Sequence, residues 1–168
     1  MSKMLFVYDF FYPAYKAGGP IQSLTNLAGC LEDRHEISVY TGSNDHNGSE
    51  KLFNIEADKW SATRLPGTHK SLQVWYADPA TVTMQLFKSI LNDAAPVVIY
   101  LNGIFSYRFI IIPLLAADPA KFKIIIAPRG MLQRGALAGK TVKKKFYLGL
   151  LKLSGLVKTV TWHATNEA

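Results

Sequence analysis

A chain of 168 residues, 49% hydrophobic and 18% charged, is long enough to bury a core and has the usual length of one domain. Its single cysteine, Cys30, excludes an intramolecular disulfide and a cysteine-rich metal site. The net charge of +7 favours anionic partners, whether nucleotide sugars, phospholipid headgroups or nucleic acid, and does not choose among them.

The chain start, Met1-Ser2-Lys3, runs directly into strand-like sequence without the apolar core and small-residue cleavage site of a secretory signal, so a cytoplasmic protein is expected. No apolar run approaches the roughly 18 residues of a membrane span. The densest, 109–117, is divided by Pro113.

Residues 4–8 read as the first strand, and Asp9 follows it directly. An Asp there is positioned to act as a base, yet an Asp in that place commonly caps nearby backbone donors, and no catalytic role is assigned to it. The loop Tyr12-Pro13-Ala14-Tyr15-Lys16-Ala17-Gly18-Gly19-Pro20 then opens a helix with Ile21, Leu24, Leu27, Ala28 and Leu31 on one face. Gly18 and Gly19 leave backbone N–H groups accessible at a positively polarised helix start, which suits a phosphate or diphosphate. A plain strand-to-helix turn accounts for the same residues, since the GxGxxG and Walker spacings are absent. Cys30 falls in this helix among apolar neighbours and is expected to be a buried, inert thiol.

A second strand is expected at 37–41, followed by a poorly patterned stretch, 42–59, that holds Asn44, Asp45, His46, Asn47, Gly48 and Ser49 and reads as an exposed, mobile loop. His46 beside Asp45 has no other ligand-spaced residues near it, so a solvated histidine is expected there rather than a metal or acid–base pair. Strands at 72–76, 97–101, 123–127 and 159–163 alternate with helical patterns at 82–91, 106–117 and 140–153. Strands apolar nearly throughout and separated by helices signify a doubly wound, Rossmann-like α/β fold: a mostly parallel sheet with helices on both faces. Residues 164–168 read as the start of a further helix capped by Thr165 or Asn166, so residues 1–168 are expected to be the N-terminal piece of a longer protein.

In such sheets ligands bind beyond the carboxyl ends of the strands. Three segments are expected to converge there: the Gly18-Gly19 loop, Asn102-Gly103-Ile104-Phe105-Ser106, and Pro128-Arg129-Gly130-Met131-Leu132. Together they offer amide donors, a side-chain amide and a guanidinium, a set suited to hydroxyls and phosphates and poor in general bases. Arg129 is the strongest anion candidate because its planar fork holds phosphate or carboxylate in bidentate fashion; a salt bridge to a surface carboxylate is the alternative. Asn102 is suited to orienting a sugar hydroxyl, or equally to serving as a turn residue before Gly103. In the last helix and just after it, Lys140, Lys143, Lys144, Lys145, Lys152 and Lys158 accompany Phe146, Tyr147, Leu148, Leu150, Leu151, Leu153 and Leu156, a basic stripe beside an apolar one that fits both a membrane-surface helix and a helix packed on the sheet with solvated lysines.

In order along the chain, the Gly18-Gly19-Pro20 loop, the Asn102-to-Ser106 turn, Ala127-Pro128-Arg129-Gly130-Met131-Leu132 with its lysine-rich sequel, and His163-Ala164-Thr165-Asn166-Glu167 resemble the N-terminal domain of a bacterial group 1 (family 4) glycosyltransferase. The resemblance implies half of a two-domain GT-B fold, in which this domain mainly binds the acceptor and a C-terminal domain holds the nucleotide sugar. It implies transfer with retention of configuration, generally without a metal or other cofactor, onto a glycan or lipid-linked acceptor of a cell-surface polysaccharide at the inner face of the cytoplasmic membrane. Gly18 and Gly19 would then face the donor diphosphate. Lys16, Asn102, Gly103, Ser106 and Arg129 would line the acceptor side, and Lys143, Lys144 and Lys145 would face an anionic membrane. Asn102 stands where many members carry a histidine, which limits that position to hydrogen bonding because an amide exchanges no proton near neutral pH. No catalytic residue is assigned within this chain, and the fragment alone is expected to lack turnover. The alternative is a non-enzymatic nucleotide- or anion-binding module of flavodoxin-like shape built on Gly18-Gly19 alone. No recognised nucleic-acid module is present, so no specific nucleic-acid partner is expected.

Overall fold

The first strand shows how the sheet is built: along β1 (Ser2–Tyr8), Leu5 and Val7 point into one buried cluster while Phe6 and Tyr8 point into another. Period-two alternation of apolar residues on both faces requires cover on both sides. Residues 1–45, 51–133, 135 and 141–164 are described in the computed structural model. His46, Asn47, Gly48, Ser49, Lys140, Thr165 and Asn166 lie outside them.

The fold is α/β and Rossmann-like. Its sheet has seven strands in the order β3-β4-β2-β1-β5-β6-β7. Here β2 is His35–Gly42, β3 Trp60–Arg64, β4 Ser71–Ala77, β5 Val98–Asn102, β6 Lys123–Ala127 and β7 Thr161–Trp162. Every pairing is parallel except that of β3 with β4.

On one face lies α1 (Gly19–Leu31), which buries Ile21, Leu24 and Ala28 against Phe6, Val39, Val74 and Tyr100. On the other lie α2 (Met84–Ala94), α3 (Ile112–Ala116) and α4 (Thr141–Leu153), through Phe87, Ile90, Leu114 and Leu151. The hydroxyl of Thr83 caps α2 by accepting from Leu86 N–H at 3.1 Å.

One strand was not expected, and one expectation needs correction. The segment Trp60–Arg64 forms a strand that its sequence conceals. As an antiparallel edge it needs no continuous apolar run, and it makes a side-chain contact with β4 through the Trp60 and Trp75 rings at 5.6 Å. Cys30 is exposed, not buried. The buried positions of α1 are Ile21, Leu24, Thr25 and Ala28, and two residues beyond Ala28 the helix has turned through roughly 200°, onto the opposite side. The described part of 42–59 is exposed at Lys51, Phe53, Asn54, Glu56 and Lys59, as expected of a loop, and is tied to the sheet where buried Leu52 donates its N–H to Ser43 O at 3.0 Å and Asp58 N–H donates to Tyr76 O at 2.9 Å.

The expected helix over 106–117 begins as a π-helical turn, Tyr107–Ile111, in which Ile111 N–H reaches back five residues to Ser106 O at 3.2 Å. Pro113 has no N–H to give to the carbonyl four residues before it, so a tighter turn is not enforced there.

Candidate functional site

The chain order from β1 to β2 runs toward one edge of the sheet, and from β5 through β6 to β7 toward the other, so the direction reverses between the neighbours β1 and β5. Carboxyl ends that flank such a reversal splay apart and leave a crevice. A cavity of about 460 Å³ lies at this edge, lined by Asp9 after β1, Gly42 of β2, Ala77 of β4, and residues from Phe105 to Phe109 after β5. The π-helical turn therefore presents Tyr107, Arg108 and Phe109 to the cavity.

Asp9 and Ser106 bridge the reversal point. The Ser106 hydroxyl donates to Asp9 Oδ1 at 2.7 Å and accepts from Phe109 N–H at 3.1 Å, so one side chain both starts the π turn and holds the carboxylate. Burial raises the Asp9 pKa above its ordinary value; the Ser106 hydrogen bond, its own backbone N–H and the charge of Arg108 oppose that rise. Asn44 and Asp45 complete the polar lining. Behind it, Phe105 packs against Tyr147 of α4 at 5.6 Å, Lys144 Nζ sits 5.5 Å from the Phe105 ring, and the Tyr147 hydroxyl donates to Ile104 O at 2.7 Å. Burial, with a smaller contribution from the Asp9 charge, pushes the Tyr147 pKa up to about 12, so it stays a neutral donor.

Asn102 and Arg129 meet, as the strand-end placement implies, but they meet each other. The Asn102 amide oxygen accepts from Arg129 Nε at 2.9 Å and from Nη2 at 2.8 Å, while its NH₂ donates to Tyr100 O at 3.1 Å and Val7 O at 3.4 Å. Both acceptor positions and both donors of a fully buried amide are thus used within the protein. The guanidinium also lies 5.8 Å from the Tyr100 ring centre. Among the described residues Arg129 forms no ion pair, and its Nη1 group keeps both donors.

The backbone holds this arrangement. Arg129 and Gly130 have φ of 53° and 75°, and Met131 N–H closes the turn onto Pro128 O at 3.0 Å. Arg129 is thus one of the few non-glycine residues in the left-handed region, and the two hydrogen bonds to Asn102 help hold it there. Gly103, not Asn102, takes the left-handed turn position, with φ of 84°; a Cβ there would lie 3.2 Å from Met131 Cε.

Gly18 and Gly19 sit at the same edge, because α1 starts where β1 ends. Gly18 precedes α1 with φ of 75° and ψ of −146°, no side chain caps the helix, and a Cβ on either glycine would meet nothing within 4 Å. The loop before them is anchored by buried Phe11 and Ala14 and by the Tyr76 hydroxyl, which donates to Tyr12 O at 2.7 Å. Lys16 is exposed in the 3-10 turn Tyr15–Ala17. Comparison with protein-family models, with curated proteins and with solved structures returns no match. The geometry of the edge therefore stands alone.

Of the residues singled out in the sequence, Asn102 and Arg129 form one cluster, Ser106 joins Asp9 in the cavity, Gly18 and Gly19 face open space, and Lys143 and Lys145 are exposed while Lys144 is half-buried over Phe105. Arg108 is a cavity residue that the sequence did not single out, and Asn44, read there only as part of an exposed loop, lines the cavity as well. Arg108 stood inside a helical pattern, and its place at the strand end becomes visible only once the π turn is known. A larger hollow of about 570 Å³ lies at the opposite, amino end of the sheet. Several of its charges have protein partners: Lys3 pairs with Glu36 at 3.7 Å, Lys70 with Asp33 at 3.2 Å, and the buried Glu32 carboxylate accepts from the backbone N–H groups of His69 at 3.0 Å and Lys70 at 3.2 Å. Among the described residues no group of three or more His, Cys, Asp or Glu is placed to hold a metal, and no helix is long and apolar enough to cross a membrane.

Proposed function

We propose that this chain is the acceptor-binding half of a retaining GT-B glycosyltransferase of the bacterial group 1 (family 4) type, which moves a sugar from a nucleotide-sugar donor to a glycan or lipid-linked acceptor of a cell-surface polysaccharide. The observation that supports it is the cavity at the reversal point of the sheet with the Asp9–Ser106 pair on its wall. A carboxylate that faces a half-enclosed volume, with amide and guanidinium groups around it, is suited to a polyol, whose hydroxyls need acceptors as much as donors.

In this reading Asp9 accepts the hydrogen bond of an acceptor hydroxyl, Ser106 fixes the carboxylate rotamer, and Arg108 balances its charge. Asn102 acts as a positioning residue that aims Arg129 toward the edge, and the Arg129 Nη1 group meets an anionic part of a ligand. Gly18 and Gly19 let the donor diphosphate approach the start of α1, whose unpaired amides favour negative charge. The donor itself is held mainly by a C-terminal domain. Rate enhancement then rests on positioning and on stabilising the departing diphosphate.

The test is transfer by the full-length protein from a panel of nucleotide sugars to a panel of glycan and lipid-linked acceptors. Transfer is expected, and Asp9→Asn should weaken acceptor use by about 10- to 100-fold, the worth of a hydrogen bond to a charged group, with the donor KM unchanged. No transfer across both panels overturns the reading. Tight calorimetric binding of a mononucleotide by this domain alone, abolished by changes at Gly18-Gly19 but not at Asp9, would favour a nucleotide-binding module instead.

A further inference from the structure

The turn that carries Ser106 is fixed at one end by the sheet, at the other by the π-helical turn, and in its middle by α4. Gly103 N–H donates to Ala127 O at 2.8 Å, and the Ser106 carbonyl accepts from Ile110 N–H at 3.1 Å and Ile111 N–H at 3.2 Å. Between these ends Ile104 and Phe105 form no backbone–backbone hydrogen bond among the described residues. The bond that holds them comes from 43 positions away, where the Tyr147 hydroxyl donates to Ile104 O at 2.7 Å. The same tyrosine holds the next residue by its ring, which lies 5.6 Å from that of Phe105 and tilted by 55°.

What the turn carries makes this contact matter. Phe105 and Ser106 are consecutive, and both line the cavity together with Asp9, whereas no described residue of α4 does. The Ser106 hydroxyl donates to Asp9 Oδ1 at 2.7 Å, a bond that weakens once the oxygens part beyond about 3.0 Å. Ile104 is 1% exposed, so water does not replace the tyrosine hydroxyl at its carbonyl. Without that donor a buried carbonyl is left unpaired, and the turn relieves the loss only by moving. Phe105 passes the movement to Ser106.

We infer that Tyr147 is a positioning residue for the candidate site: by holding the Ile104 carbonyl and the Phe105 ring it fixes Ser106, and through Ser106 it aims the Asp9 carboxylate at a ligand hydroxyl. Electrostatics agrees with this proximity, since burial chiefly and then the Asp9 charge raise the Tyr147 pKa. Tyr8 and Arg108 are the other titratable groups that feel Asp9 or act on it. The role deepens the acceptor reading and rests on it for the identity of the ligand. The link from Tyr147 to Asp9 stands on the hydrogen bonds and ring contact alone.

Tyr147→Phe tests it, because it keeps the ring on Phe105 and removes only the donor; a cooperative thermal melt checks that the variant folds. Carbon-13 NMR of the Asp9 carboxyl against pH reads the link with no substrate present. The Ser106 hydrogen bond favours the ionised carboxylate, so Ser106→Ala should move the Asp9 titration upward. Tyr147→Phe should move it the same way by less, and should add nothing once Ser106 is already Ala. In the full-length protein Tyr147→Phe should raise the acceptor KM about fivefold, the worth of one neutral hydrogen bond, and leave the donor KM unchanged. The role is overturned if the Asp9 titration is the same in Tyr147→Phe as in the wild type. It is overturned equally if the shift persists in full without the Ser106 hydroxyl, which makes the effect one through space. A rise of both KM values alike also overturns it, since that is a general loosening of the fold. If the wild type transfers no sugar, the acceptor reading falls, and the titration decides by itself whether Tyr147 fixes Asp9.

Discussion

Two polar clusters share the carboxyl edge of this sheet, and they use their hydrogen bonds in opposite ways. Asn102 and Arg129 give most of their capacity to each other and to the backbone of β1 and β5. Asp9 gives one oxygen to Ser106 and faces a volume of about 460 Å³. Residue type alone does not separate the two, since an amide and an arginine look as ready for a ligand as a carboxylate and a serine. The separating feature is where the capacity goes: Asn102 uses both lone pairs and both N–H donors within the protein, whereas the Asp9 carboxylate, bonded to Ser106, lines the cavity. Asn102 is a scaffold that holds the Arg129 fork by Nε and Nη2, and the Asp9 carboxylate is the group that faces the cavity.

The largest effect that follows is at Asn102. Replacement by Ala removes four hydrogen bonds, leaves the Arg129 fork without its acceptor and opens space in a buried site, so the cost should be about 3 kcal/mol. Urea unfolding measures it. A loss below about 0.5 kcal/mol would erase the distinction between the clusters.

Gly18→Ala should come next. A φ of 75° with ψ of −146° is a backbone region that an L side chain adopts at a cost of about 2 kcal/mol, even though a Cβ there meets no atom within 4 Å. The cost is purely conformational, so Gly18→Asn should recover little of it. The same urea series checks this.

Much of the fold was legible because its strands are apolar on both faces: the parallel strands, the four helices and the edge where they open were all expected from runs such as 97–101 and from the face shared by Ile21, Leu24 and Ala28. What escaped was decided by tertiary context. Trp60–Arg64 becomes a strand only because β4 offers an edge, and Cys30 is exposed because a helix in contact with the sheet along one stripe must turn its apolar residues elsewhere outward. At the site, the strand ends pointed to Asn102, Ser106 and Arg129, but nothing local reveals that Arg129 bonds Asn102 or that Asp9 meets Ser106, 97 positions away. The outer face of α4 is another such case, since Leu148 and Leu150 look alike until the sheet selects one of them.

Asp9 should reveal itself through pH. Its pKa is raised in the folded state, so the folded protein holds a proton that the unfolded chain has lost once the pH exceeds the ordinary value of 3.8. That contribution is fully present below 3.8 and is lost as pH rises through the folded pKa, beyond which an ionised, half-buried carboxylate opposes folding. Asp9→Asn keeps an acceptor for Ser106 and removes the charge. It should therefore be more stable than the wild type at pH 7, with the difference closing as the pH falls toward 4. Parallel urea curves at pH 4 and pH 7 decide the sign, and a variant less stable at pH 7 would mean that the Arg108 charge and the Ser106 hydrogen bond outweigh burial.

The smallest stability effect belongs to Gly19. Unlike Gly18 it has ordinary helical geometry, and a Cβ would enter open space, so Ala should fit within about 0.5 kcal/mol of the wild type and gain slightly from helix propensity. Because the fold is indifferent to this position, any functional cost of Gly19→Ala is attributable to a ligand. A methyl group there stands between an incoming phosphate and the amides that begin α1. If the diphosphate of a donor approaches this helix start, Gly19→Ala should raise the donor KM of the full-length protein at unchanged melting temperature, while Asp9→Asn raises only the acceptor KM. Equal effects of both variants on one substrate would merge the two halves of the edge into one site, and no effect of Gly19→Ala would leave the glycine pair with a purely conformational part.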